Sequence, residues 1–587
     1  MRFTWTIVSL ALVLMLPGCG GGDNPLQDPS GPVGPGDRPG AFSVVLFYDV
    51  VGMRFSPAWE PSSGATRYRV SLKRTSDADF EPLSADLPAS ARNFDFAVGL
   101  AIEWEAATLR IEACNGAGCT TAPELPLLPY RGVAALAQKE YLKSDLARSG
   151  DSFGMAVATS ADANTLAVGA PMEDGNAVTP DTGTVRVYVR AGASWSLQAT
   201  LKALNAHASD RFGTSIALSA DGRTLAVGAP FEAGDRNSTV QAFNSNAPRA
   251  GAVYVFTRDA VGSWNPQHAY LKASNAEGAP LGNATDGDQF GSALRLSADG
   301  TALVVSAVGE DGDARSAVIA ANANADATNN FAPDAGAAYV FTRAGSNTWM
   351  QRAYLKATNA ETLDSFATAV AISNDGSTIA VGAFQEDGDS ANTGDPTTDN
   401  DNLPDSGAAY VFVRRGDAWE QQSFLKAPRA APREWFGWSL ALSGSGDKLA
   451  VAAPVEALTG AVHVFTRNGS QWSSQSDVVA SNAAISDAFG IDVSLSGDGE
   501  TLAVGASAAT FRAGEAYVYG RVGTAWKEQL ILRSSQSDVD DLFGARIALA
   551  ANGARLFVGA PSEAGDAQSD ELGPNNNAPG AGAVYEF

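Results

Sequence analysis

Three short runs have the residue types and spacing for hard-cation chemistry: Glu173-Asp174-Gly175, Glu310-Asp311-Gly312-Asp313 and Glu386-Asp387-Gly388-Asp389. Carboxylate oxygens at this density suit a divalent ion that prefers hard oxygen ligands, Ca²⁺ above all. The candidate ligands are therefore Glu173, Asp174, Glu310, Asp311, Asp313, Glu386, Asp387 and Asp389, with Asp395, Asp399, Asp401 and Asp405 following the third run. Acidic residues of this kind also cap turns and keep loops soluble, and spacing alone leaves both readings open.

Signals for catalysis are poor. The three histidines, His207, His268 and His463, are scattered. There is no G-x-S-x-G, no H-E-x-x-H and no phosphate loop, so no enzyme activity is expected. The net charge of −25 argues against nucleic acid, since a polyanion gains nothing from releasing counterions onto an acidic surface. It favours cations or basic partners instead.

The elements that carry the acidic runs are strands. Gly is abundant, at 60 of 587 residues, and charged residues are only 18 %, which suits short strands joined by tight turns. A Phe followed by Gly (once Ala), with an acidic residue two places earlier, recurs at Phe153, Phe212, Phe290, Phe366, Phe436, Phe489 and Phe543. The acidic partners are Asp151, Asp210, Asp288, Asp364, Glu434, Asp487 and Asp541. Each unit reads as four strands, A to D. In the second unit these are Thr214 to Ser219, Thr224 to Pro230, Gly251 to Phe256 and His268 to Ala273, with an Asp-Gly hairpin between A and B. A four-stranded antiparallel unit repeated in this way is a propeller blade. The last unit stops after its C strand, Ala583 to Phe587, while a spare D-like strand, Glu140 to Ser144, precedes the first Phe-Gly. The spare strand is expected to complete the last blade and close the ring, leaving no open edge. Six tryptophans, Trp195, Trp264, Trp349, Trp419, Trp472 and Trp526, mark the C-to-D hairpins and should pack against strand D.

This arrangement puts the B-to-C loops and D-to-A crossovers on one face, and the A-to-B and C-to-D hairpins on the other. The acidic runs share their face with the acidic residue before each Phe-Gly. A protein or glycan ligand is expected on that acidic, loop-rich face.

The Phe-Gly start together with Gly169-Ala170-Pro171, Gly228-Ala229-Pro230 and Gly559-Ala560-Pro561 resembles the FG-GAP repeat of integrin α-subunit propellers, most closely its bacterial exported form. The resemblance covers residues 132–587 and implies a seven-bladed β-propeller with a role in recognition or adhesion. It also implies D-x-D-x-D-G calcium loops between A and B, which this chain lacks. Asp162, Asp221, Asp299, Asp375, Asp447, Asp498 and Asn552 each stand alone there and read as turn residues.

Three further regions precede the propeller. Residues 41–128 alternate with period 2 and carry Trp59, Pro61, Tyr68 and Val70, then Leu109, Ile111, Ala113, Asn115 and Gly118. They resemble a fibronectin type III β-sandwich. Cys114 and Cys119 flank a turn there and are expected to form a hairpin disulfide. Residues 20–40 are Gly-, Pro- and Asp-rich and read as a flexible tether. Residues 1–19 combine a basic start, a short apolar run and Leu16-Pro17-Gly18-Cys19, which resembles a bacterial lipobox with Cys19 as the lipidated residue. Gly20 after it implies the outer membrane. The fold class expected is all-β, and the function a non-enzymatic, lipid-anchored envelope protein for protein recognition or adhesion. A lectin-like propeller and an outer-membrane scaffold are the alternatives.

Overall fold

In the runs Thr165–Ala170, Thr224–Ala229, Ala302–Ala307, Thr378–Ala383 and Thr501–Ala506 every residue is buried. Such segments cannot be half-exposed strands; both faces must be covered. In the computed structural model each is the second strand of a four-stranded antiparallel sheet, and the described residues hold seven such sheets. The structure describes residues 37–49, 54–75, 79–97, 100, 102–128, 138–175, 179–192, 194–239, 244–265, 268–278, 287–313, 330–345, 348–389, 401–536, 538–566 and 575–587. Cys19, the leader and most of the expected tether lie outside them, as does the start of the expected propeller at 132.

The chain divides into two compact units between Lys139 and Glu140. In the first, Val44–Asp49, Arg54–Trp59 and Phe96–Ala97 form one sheet, and Arg67–Lys73 with Thr108–Asn115 centre another. Phe55, Trp59, Tyr68, Val70, Trp104 and Ile111 are buried in this unit. Cys114 and Cys119 face each other across the hairpin and are bonded, with Cα atoms 4.0 Å apart.

In the second unit the innermost strands follow one another around a closed circuit. Ala156–Thr159 contacts Ser215–Leu218, contact passes from sheet to sheet, and Arg546–Leu549 of the seventh touches Ala156–Thr159 again. The seventh sheet is completed by Glu140–Leu142, which pairs antiparallel with Ala583–Glu586 through Glu140–Glu586, Tyr141–Tyr585 and Leu142–Val584. The termini thus close the ring by main-chain hydrogen bonds. One expectation needs refining. The near-continuous apolar runs of the A strands, like those of B, suit buried strands, but the A strands are mixed: Ala156–Thr159 and Leu440–Leu442 are partly exposed, because they line a central channel.

Phe-Gly works as a hinge between sheets. Phe212 is fully buried and meets Tyr254 edge-on at 5.4 Å. It belongs to a cluster that includes Val185 and Val187 of the preceding sheet. Gly213 has φ +95°, and a Cβ there would lie 2.9 Å from the Thr184 carbonyl oxygen, so only Gly lets the two backbones approach.

Candidate functional site

The loop face is built where each B-to-C loop meets the next crossover. Gly183 pairs with Phe212, Gly251 with Phe290, Gly407 with Phe436 and Gly514 with Phe543, each across a sheet boundary. The acidic residue ahead of each Phe is a turn cap. Asp151 accepts from Arg148 N–H, Asp210 from His207, Asp364 from Glu361, Glu434 from Ala431, Asp487 from Ala484 and Asp541 from Asp538, all at 2.7 to 2.8 Å. Asp288 reaches further back, to Glu277 N–H. Among them burial raises Asp364 to about 8, Asp210 and Asp541 to about 7, and Asp151 to about 6. The capped N–H pulls each pKa back down, and a neighbouring Glu raises it further.

That neighbouring Glu opens the B-to-C loop or its return strand, in three sheets as the first residue of an acidic run, and it is paired with a basic side chain, both partners buried in most of the sheets. Glu173 pairs with Arg186 at 2.5 Å, Glu232 with Lys272 at 2.8 Å, Glu310 with Lys356 at 2.9 Å and Glu386 with Lys426 at 2.6 Å. Glu456 pairs with His463 at 2.5 Å, Glu515 with Arg533, and Glu563 with Lys143 at 2.5 Å. Each sheet therefore has one acid–base pair, and in the seventh the N-terminal segment supplies the cation. Hydroxyls and amides complete the shell: Tyr354 and Asn275 both donate to Glu310, the Asn from the preceding sheet. Burial pulls His463 down, but Glu456 and Asp477 on its two ring nitrogens outweigh it and hold the pKa above the ordinary value.

Of the predicted ligands, Glu173, Glu310 and Glu386 are thus held by amines or a guanidinium. Asp174, Asp311 and Asp387 accept backbone N–H groups of Asp181, Asp334 and Asp405 within their own loops. Asp389 accepts from Asn402, and Asp313 lies in the loop beyond Glu310 near Tyr354. Asp395 and Asp399 lie outside the described residues. The runs stand in different sheets, and among the described residues no three His, Cys, Asp or Glu come together as a metal-binding group.

On the opposite face the lone A-to-B acids are turn residues. Asp375 accepts from Ser373, Ser377 and the Ser377 N–H, and Asp221 from Ser219 and the Arg223 N–H. Several hairpin indoles latch sheet to sheet. Trp195 donates to Glu586, Trp264 to Gln198 and Trp472 to Gln422.

The central channel had no sequence signal. It encloses a cavity of 210 Å³ lined by the innermost strands of all seven sheets. Its charged lining residues are Arg295, Asp492 and Arg546. Trp438 also lines it, stacked on Trp435 at 5.5 Å with Phe384 edge-on to both. Phe384 occupies the position where other repeats have the Pro of Gly-Ala-Pro.

Family comparison matches the FG-GAP repeat at residues 195–256, 349–412 and 472–519. The ring is an FG-GAP-repeat β-propeller. Each matched segment runs from an outer strand through the first three strands of the next sheet, so the sequence repeat is offset from the blade by one strand. No curated protein matches the chain. Among solved structures the propeller is similar to the Pseudomonas aeruginosa periplasmic gluconolactonase PpgL, at 13 % identity and TM-score 0.40, covering 80 % of this chain and 96 % of that one. It is also similar to a putative 6-phosphogluconolactonase from Bacteroides uniformis, at 11 % identity and TM-score 0.39, covering 79 % and 95 %. A third is the Kuenenia stuttgartiensis hydrazine synthase, at 11 % identity and TM-score 0.39, covering 71 % and 94 %.

Proposed function

We propose that this chain is a non-enzymatic, lipid-anchored envelope protein that recognises another protein through the loop face of its propeller. The observation that carries the reading is where large apolar side chains meet water. Phe511 is 85 % exposed, Phe331 80 % and Ile485 72 %, with Val539, Leu458 and Leu363 also exposed. All six lie in B-to-C loops or crossovers. They come in neighbouring sets across sheet boundaries: Ser486 N–H donates to the Leu458 carbonyl, Leu363 N–H to Pro333, and Arg512 pairs with Asp540. Leu363, Leu458 and Phe511 hold positive φ of 71°, 66° and 59°, a conformation that costs non-Gly residues energy and is often kept at binding surfaces. Val261, 87 % exposed, lies apart in a C-to-D hairpin; a set of exposed apolar groups sharing one face is a mark of protein interaction.

The anchor belongs to the same reading. Cys19 would hold the chain at the outer membrane, and the first unit, fibronectin type III-like, would act as a spacer. A photo-reactive residue at Phe511, compared with one at Val261 on the hairpin face, tests the recognition surface in intact cells. A discrete adduct from position 511 only, lost on Ile485→Asp, is expected. Equal labelling from position 261, or labelling indifferent to Ile485→Asp, would overturn it. Cys19→Ala should release the chain from the membrane fraction.

A further inference from the structure

The channel's charges are not spent in the way the loop face spends its own. Asp492 has three donors: it accepts from Ser439 at 3.2 Å, from the Val493 N–H at 3.1 Å and from the Ile547 N–H at 2.8 Å. It stitches the fifth, sixth and seventh innermost segments together. The two arginines are different. Among the described residues Arg295 donates only to the carbonyl of Leu294, at 3.0 Å, and Arg546 only to that of Ala545, at 2.7 Å. Among them no carboxylate lies within ion-pair distance of either. Arg295 is exposed to the channel while protein encircles it. That enclosure pulls its pKa down, Asp492 partly restores it, and Arg546 repels it.

The remaining polar lining adds few donors. Thr214, Ser292 and Thr368 give their protons to the carbonyls of Arg211, Gln289 and Ser365, each at 2.8 Å. Ser215 gives its proton to Gly291, and Ser439 to Asp492. Those hydroxyls can only accept. The cavity thus presents two guanidinium forks and one carboxylate already bonded to three donors, a local charge of +1 inside a chain whose net charge is −25. Such forks match the geometry of a carboxylate or phosphate. At 210 Å³ the space is below the roughly 300–1,000 Å³ of drug-sized ligand pockets, so the occupant must be small. We infer that the propeller channel binds a small oxyanion, a carboxylate- or phosphate-bearing molecule held between Arg295 and Arg546 beside Trp438. This site is independent of the loop face.

Calorimetric titration of the full chain in detergent, with citrate in one arm and inorganic phosphate in the other, tests it and separates the two chemistries. Saturable 1:1 binding of at least one anion is expected. Arg295→Gln and Arg546→Gln should each weaken it about tenfold or more, the equivalent of one charge-assisted hydrogen bond, and together abolish it. Each side chain bonds only its neighbour's carbonyl, so unfolding midpoints should stay at the parent value. If a Gln variant does unfold early, Arg295→Lys and Arg546→Lys, which keep the charge but lose the fork, should bind with intermediate affinity. Flat titrations with both anions to about 10 mM, weaker than any specific small-ligand site of this kind, would overturn the inference. So would parent-like affinity in the Gln or the Lys pair.

Discussion

Lys356 and Arg295 belong to the same sheet of the ring, yet their environments are opposite. Lys356 is fully buried, with Glu310 at 2.9 Å and Tyr354 and Asn275 completing the carboxylate's shell. Arg295 is exposed to the channel and, among the described residues, bonds only its neighbour's carbonyl. A buried ion is tolerated when its partner and hydrogen bonds are all present, and is costly when one is removed. A wet guanidinium carries no such debt to the fold. The comparison teaches that charge density alone does not mark a site. The acidic runs look chemical in sequence but their glutamates hold the blades together, while the two arginines look incidental and remain available.

The largest effect should come from splitting one of the buried pairs. Glu310→Ala leaves the Lys356 amine enclosed without its carboxylate and should cost about 3–5 kcal/mol in denaturant unfolding. The double replacement Glu310→Met with Lys356→Met should recover part of that loss, because no buried charge is left unpaired, while Tyr354 and Asn275 still lose their acceptor. A double variant as unstable as the single would deny that the pair acts as a unit.

A smaller effect sharpens the comparison through pH. Burial raises Asp364 to about 8 and Asp210 and Asp541 to about 7. The folded chain therefore holds protons that the unfolded chain has released above its ordinary carboxylate range. Their stabilising contribution is complete below that range and is lost as pH rises through 7 to 8. His463, raised by Glu456 and Asp477, acts with the same sign. The melting temperature should fall between pH 5 and pH 8, and Asp364→Asn, which can still accept from the Glu361 N–H, should flatten the slope. A melting temperature that rises over this interval would contradict the assignment.

The smallest effect lies on the hairpin face. Burial opposes ionisation of Asp375, but the Ser373 and Ser377 hydroxyls and a turn N–H hold its pKa below the ordinary value. Asp375→Ala should cost about 1 kcal/mol, the worth of a turn hydrogen bond, and should leave anion titrations unchanged. Its stabilisation is lost only as pH falls below the ordinary carboxylate range, so it does not enter the slope between pH 5 and pH 8.

Much of the fold was legible because the repeat is dense in local signals. Phe212-Gly213, the Asp221-Gly222 hairpin and the apolar run from Thr224 each dictate one backbone event, and the missing last strand pointed to Glu140–Leu142. The site was less legible, for physical reasons. Glu310 and Lys356 are 46 residues apart, and nothing local in the sequence ties the loop carboxylate to an amine at the end of an outer strand. The recurrence of Lys at that point, in Lys143, Lys202, Lys272, Lys356 and Lys426, was the available signal. The channel was illegible for another reason. Arg295, Asp492 and Arg546 come from three different sheets; Asp492 and Arg546 each stand three residues after the repeat's Phe and Arg295 five after it, and only ring closure brings them into one cavity. Likewise the A strands read as core because their apolar pattern resembles B, and only the ring's geometry shows that one side of them faces the channel.

The most direct test of this division of labour is equilibrium unfolding of the parent, Lys356→Met and Arg295→Gln in one buffer at pH 7. Lys356→Met should lose about 3–5 kcal/mol, because Glu310 is left charged and buried. Arg295→Gln should stay within about 0.5 kcal/mol of the parent, as surface-like substitutions do. Equal losses in the two variants, or a larger loss in Arg295→Gln, would contradict the account.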